Sequence, residues 1–195
     1  VKGDQGDLGP KGDKGDKGST GQNAAMDSIF VYSGVNQYAG GHSITSFVPV
    51  SFELPAVPIA PVGNTWTRNA NNIDFSSPQI GYYLITYKID VRSGGVGSTD
   101  AATTLSLSPS TSGPWTQVLG SATLVEAPVD NHIYTISNTV LLNYSIANQF
   151  VRLWFWSNDS GTHIGDTALL TGTLPNTPPT SVPEATASLV ITRIA

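Results

Sequence analysis

The 195-residue chain has no cysteine, a single methionine and only 12% charged residues. Without cysteine there are no disulfides, no thiolate metal sites and no cysteine nucleophile. No apolar stretch approaches the roughly 20 residues that a membrane-crossing helix needs. Basic residues are scarce. Beyond residue 23 only Arg68, Lys88, Arg92, Arg152 and Arg193 stand against ten acidic residues, so the net charge of −5 belongs to that part of the chain. A basic footprint for nucleic acid is absent, and so is a polybasic patch for a membrane surface. No segment shows a 3.6-residue apolar period, the mark of an amphipathic helix. Ser, Thr and Asn supply the polarity instead, which suits strands and turns.

What is present, first of all, is a period of three. Glycine occupies positions 3, 6, 9, 12, 15, 18 and 21 without a break, giving seven Gly-X-Y triplets. Only glycine fits at the crowded axis where three polyproline-II chains wind together, so Gly3, Gly6, Gly9, Gly12, Gly15, Gly18 and Gly21 are read as the axis of a collagen triple helix. Such a helix needs three chains, and the protein is expected to be a homotrimer. Acids sit at X (Asp4, Asp7, Asp13, Asp16) and lysines at Y (Lys11, Lys14, Lys17). Staggered neighbours then pair opposite charges, which is the preferred reading of the Lys-Gly-Asp tripeptides over an integrin-type adhesive motif. No proline occupies a Y position, so prolyl hydroxylation adds nothing; this favours a bacterial or phage source. The rod would span roughly 65 Å. The chain opens in mid-repeat, and a longer fibrous protein is expected around it.

The period ends near Ala24, and the organisation expected is a stalk over 1–23 and one all-β head over 24–195. Strand patterns fall at Ser28–Tyr32, Ser43–Phe52, Asn72–Phe75, Gln79–Val91, Thr103–Leu107, Trp115–Val125, His132–Leu142, Gln149–Trp156 and Ala185–Ile194, separated by Gly, Pro, Asn, Asp and Ser clusters. Within Gln79–Val91, Tyr83, Ile85, Tyr87, Ile89 and Val91 share one face, and Tyr82, Leu84, Thr86, Lys88 and Asp90 the other. Many short strands at this spacing read as a sandwich or jelly roll. Phe150–Trp156 is apolar on both faces, and a second apolar face needs a second partner. Phe150, Trp154 and Trp156 are therefore the expected trimer-interface residues, although tryptophans also suit sugar stacking.

Phe75, five residues, then Gly81-Tyr82-Tyr83-Leu84-Ile85-Thr86-Tyr87 resembles the signature of the C1q/TNF-like trimeric jelly rolls, with Ile85 where that signature has phenylalanine. Phe75, Gly81, Tyr83, Ile85 and Tyr87 are the residues that carry the match. A collagen stalk before such a head is the C1q-like layout. The cysteine-free head and its closing strand Ala187–Ala195 look more like the bacterial branch, the BclA-type collagen-like surface proteins of the exosporium. The Lys/Asp-rich stalk departs from the threonine-rich stalks of those proteins. The resemblance implies a non-enzymatic structural surface protein, extracellular, on a bacterial spore or cell. The alternative is an adhesin or phage-fibre module that binds a host glycan or protein through head loops.

Chemistry-bearing motifs are few. His42, His132 and His163 are isolated, with no second ligand at i+2 or i+4. There is no nucleophile elbow, phosphate loop or dinucleotide fingerprint. No catalytic residue and no cofactor is expected. Calcium is the one ion considered, through Asp100, Asp130, Asp159 and Asp166, because some heads of the family hold it; without EF-hand spacing, loop solvation is the default for these acids.

Overall fold

The computed structural model describes residues 2–3, 27–38, 41–59, 64–94, 99–127, 133–165 and 185–194. Of the axis glycines only Gly3 lies among them; Gly6, Gly9, Gly12, Gly15, Gly18 and Gly21 lie outside the described residues, as do Asp130, His132 and Asp166.

Thirteen strands are described: β1 (Ser28–Ser33), β2 (Val48–Pro49), β3 (Leu54–Ile59), β4 (Thr67–Arg68), β5 (Phe75–Ser76), β6 (Gly81–Arg92), β7 (Thr99–Ser108), β8 (Thr116–Gln117), β9 (Thr123–Ala127), β10 (Ile133–Tyr144), β11 (Phe150–Ser157), β12 (His163–Ile164) and β13 (Ala187–Arg193). No helix occurs among the described residues. They form two antiparallel sheets. The first runs β10-β6-β13-β1-β3, with β12 extending it beside β6; the second runs β4-β5-β11-β7-β8, with β2 beside β11 and β9 beside β7.

Period-two patterning decides which side of each strand is buried. On β6, Tyr83, Ile85, Tyr87, Ile89 and Val91 are fully buried, while Tyr82, Leu84, Thr86 and Lys88 are exposed. Ile136, Val140, Leu142 and Tyr144 of β10 and Leu189 and Ile191 of β13 join them, and Leu105, Val151, Leu153 and Phe155 answer from the second sheet. Burying side chains of this size stabilises by about 1.5–3 kcal/mol each before entropy is charged.

Three of the largest core residues are tyrosines, and each hydroxyl finds a partner at the rim. Tyr83 OH donates to Asp27 Oδ2 at 2.9 Å, Tyr87 OH to Ser121 O at 2.7 Å and Tyr144 OH to the carbonyl of Gln149. Trp66 stands edge-on to Tyr83 at 5.1 Å and tilted against Tyr144 at 5.4 Å, filling the end of the sandwich where β1 begins.

Several segments depart from the sequence pattern, among them Ser43–Phe52, of which only Val48–Pro49 pairs. Trp115–Val125, expected as one strand, divides into β8 and β9 because Gly120 turns the chain at φ 77°. The strand β3 has no counterpart in the sequence pattern; Pro55 and Pro58 cannot donate to a ladder, and β3 lies at the edge of its sheet, where that loss is tolerated.

Candidate functional site

With the interior filled, the surfaces left for function are the outer faces of the two sheets and the loops at their ends. Registry sets the first face in rows. Leu141, Leu84, Thr192 and Ser28 lie side by side on β10, β6, β13 and β1. The next row is Thr139, Thr86, Val190, Phe30 and Ile59; the third is Ser137, Lys88, Ser188, Tyr32 and Leu54. Tyr82 is 47% exposed, Leu84 39% and Leu141 58%. Phe30 and Tyr32 stack along β1 at 5.8 Å. Charge enters only toward the far end of β6, where Lys88 Nζ meets Asp90 Oδ2 at 2.8 Å and Thr135 Oγ1 donates to the same carboxylate. On β10 and β6 the face is thus apolar at the end where β1 begins and polar at the other, while Phe30, Tyr32, Leu54 and Ile59 line it along β1 and β3.

The second face is covered in part from within the chain. Arg152 lies on the outer side of β11 yet is only 7% exposed. Its Nε donates to Asp74 Oδ1 at 2.6 Å, and its Nη2 to Asp74 Oδ2 at 2.9 Å and Thr111 O at 3.0 Å. The guanidinium sits 4.0 Å from the Trp115 ring and 4.8 Å from that of Trp154, and the two indoles meet edge to face at 5.5 Å. A planar, weakly hydrated guanidinium suits such a stack, where an ammonium would not. Farther along, Trp156 Nε1 donates to Ile44 O at 2.8 Å and its ring meets Phe47 at 6.4 Å. Trp154 and Trp156 therefore have partners inside their own chain; they and Phe150 are half-buried.

The end away from the start of β1 gathers the loops. Gly94, after β6, meets Gly161, after β11: a Cβ on Gly94 would stand 2.1 Å from Gly161 O. Asp100 N donates to Asn158 Oδ1 at 2.9 Å. Asp159 spends its carboxylate on the turn, taking Gly161 N at 3.0 Å and Thr162 Oγ1 at 3.3 Å. Among the described residues no three His, Asp or Glu side chains gather as a metal site. His163 Nδ1 lies 3.0 Å from Gly161 O, and His42 is wedged between Tyr38 and Phe155 at ring distances of 6.1 and 5.4 Å.

Of the signature residues, Phe75, Tyr83, Ile85 and Tyr87 are fully buried and Gly81 opens β6. Two clusters escaped the sequence reading. One is Asp74–Arg152 with its tryptophans. The other is Asp27, a buried carboxylate that takes Thr65 N at 2.8 Å, Thr65 Oγ1 at 2.9 Å, Ser77 Oγ at 3.3 Å and Tyr83 OH. The available signal was an acid just before a strand, too common to single out.

No protein-family model matches the sequence, and no curated protein does. Among solved structures the chain is similar to the crystal structure of murine APRIL at pH 8.0, a TNF-family jelly roll, with a TM-score of 0.54 and 6% identity over 87% of this chain and 99% of that one. At that identity the likeness establishes the fold alone: the head is a TNF-like jelly-roll sandwich. No helix among the described residues is long and apolar enough to cross a membrane.

Proposed function

We propose that the chain forms a homotrimeric stalk-and-head filament, a non-enzymatic structural protein of the outer surface of a bacterial spore or cell. The observation that carries this reading is the outer face of the first sheet. Its apolar end has Leu84 and Leu141 in the row that begins at Ser28, with Tyr82 two residues before Leu84 on β6, where the Gly-X-Y segment feeds into the head. A collagen-like repeat brings three chains together at that point. A self-association face beside it buries apolar surface that a lone head leaves in water. Phe150, Trp154 and Trp156 on the second sheet are the competing placement of the interface.

Sedimentation of the full chain separates the two. The proposal expects a trimer that Leu84→Lys with Leu141→Lys breaks above the melting of the stalk, with the β-sheet circular dichroism retained. Trp154→Ser with Trp156→Ser leaves it trimeric. Dissociation by the tryptophan pair alone would move the interface to the second sheet, and a monomeric parent chain would remove the trimer altogether. A second reading, a recognition head for a host glycan or protein, draws on the loops that converge around Gly94 and Ser157–Gly161 at the end away from the stalk. A glycan and matrix-protein array probed with the trimer tests it; saturable binding abolished in the Ser157–Gly161 turn would favour it.

A further inference from the structure

After β1 the chain crosses from the first sheet to the second over the end of the sandwich. Gln37 pins this crossing. Its backbone exchanges two hydrogen bonds with Ile164, at 2.9 and 3.0 Å, and its side chain exchanges two with Ser51, at 3.0 and 2.8 Å. Tyr38 adds a bond to the carbonyl of Pro49. The strap that follows, Gly41–Phe47, is held differently. Ser43 and Thr45 bond to each other, and Ile44 and Phe47 are exposed. Among the described residues, the strap's side-chain ties to the body are the His42 ring against Tyr38 and Phe155, the Trp156 Nε1 bond to Ile44 O, and the Phe47–Trp156 ring contact.

His42 is the unusual member. Both of its ring nitrogens are buried and neither has a hydrogen-bond partner. A neutral imidazole carries one N–H and a charged one carries two, so each proton added here deepens an unmet demand. The groups that face the ring relieve it only in part. Tyr38 is a neutral phenol held up to about 12 by burial, with Arg152 acting in the lowering direction. The backbone of Ser160 and Ser157 faces the ring and favours its charged form, more weakly than burial disfavours it. Among the described residues Asp159 is the acid that acts on the ring, and its two oxygens already serve Gly161 N and Thr162 Oγ1.

We propose that His42 is a proton-operated latch: its neutral ring seats the Gly41–Phe47 strap over Trp156, and its protonation releases the strap and bares Trp156. Burial holds the seated imidazole below its ordinary value, against the weaker opposing pull of Ser160, Ser157 and Asp159. The released ring, in water, titrates near the ordinary ~6.5. A depressed value in the seated state means that closure is favoured above ~6.5 and is lost as the pH falls from there to the depressed value. One proton sets the limit: the opening constant rises by at most about tenfold per pH unit in that window.

The test uses the full chain and the emission of Trp156, identified by subtracting the spectrum of Trp156→Phe. The proposal expects a reversible red shift as the pH falls below about 6.5, with a slope of no more than one proton. His42→Phe keeps the strap seated and abolishes the shift, while His163→Phe retains it. If His42→Phe does not fold, His42→Gln serves, and the ring titration of His42 by nuclear magnetic resonance in the parent chain decides independently. A shift that survives loss of the imidazole, no shift between about pH 7.5 and 4.5, or a His42 ring that titrates at or above ~6.5 would each overturn the latch.

Discussion

Arg152 and Asp74 form a buried two-point ion pair across 78 positions of sequence, with Nε–Oδ1 at 2.6 Å and Nη2–Oδ2 at 2.9 Å. Its side chains are 9% and 0% exposed. Asp74 takes a third bond from Asn69 Nδ2 at 2.9 Å, so the carboxylate ties the β4–β5 hairpin to the centre of the second sheet. Removing two charges from water costs several kcal/mol, which the short contacts and the indole stack offset.

This predicts an asymmetry. Asp74→Ala strands a buried guanidinium and should cost about 3–5 kcal/mol, read as a lower urea midpoint. Replacing both partners, Asp74→Leu with Arg152→Met, should cost far less than the two single changes added together. Additive losses would mean that the pair is not coupled.

Asp27 ties the first described residues of the head to β6. Asp27→Ala leaves Thr65 N and the Tyr83 hydroxyl without their carboxylate and should cost about 2–3 kcal/mol. Asp27→Asn keeps an acceptor for Thr65 and should cost less. Urea unfolding of the two variants checks the order.

The same contact sets the alkaline limit. Burial raises the phenols of Tyr38, Tyr83 and Tyr134 to about 12, and for Tyr83 the hydrogen bond and charge of Asp27 add to the rise. A phenol held neutral in the folded chain contributes stability that is complete below its unfolded value of ~10 and is lost as the pH rises through about 12. The head should therefore lose stability between those limits. Phenolate absorbance should show these residues ionising late, and Asp27→Asn should bring one of them, Tyr83, forward.

Much of this was legible in the sequence where the signal is local. The alternation of β6 puts Tyr83, Ile85, Tyr87, Ile89 and Val91 on one face and Tyr82 and Leu84 on the other, because a strand must present successive side chains to opposite faces. The same rule put Trp154 and Trp156 on the outer side of β11. It was silent on what covers them: Trp115 and Ile44 arrive from distant connections, and no period records such meetings. Asp74–Arg152 was hidden for the same reason. The strap was read as part of a strand, since Ile44, Phe47 and Val48 look apolar enough; only Val48–Pro49 pairs.

The final prediction concerns the order of assembly. Seven triplets with a single proline at X, Pro10, nucleate a triple helix poorly, since three chains must first be brought into register. In the proposed trimer, heads that associate beside Ser28 would hold three Gly-X-Y segments at high effective concentration and align them. A peptide of residues 1–23 should therefore show no cooperative melt at the temperature where the stalk melts in the full chain. Gly12→Ala should lower that melt, because the added methyl meets the axis, and leave the head trimeric. An isolated peptide that melts like the full chain would mean that the stalk assembles by itself and leads the head.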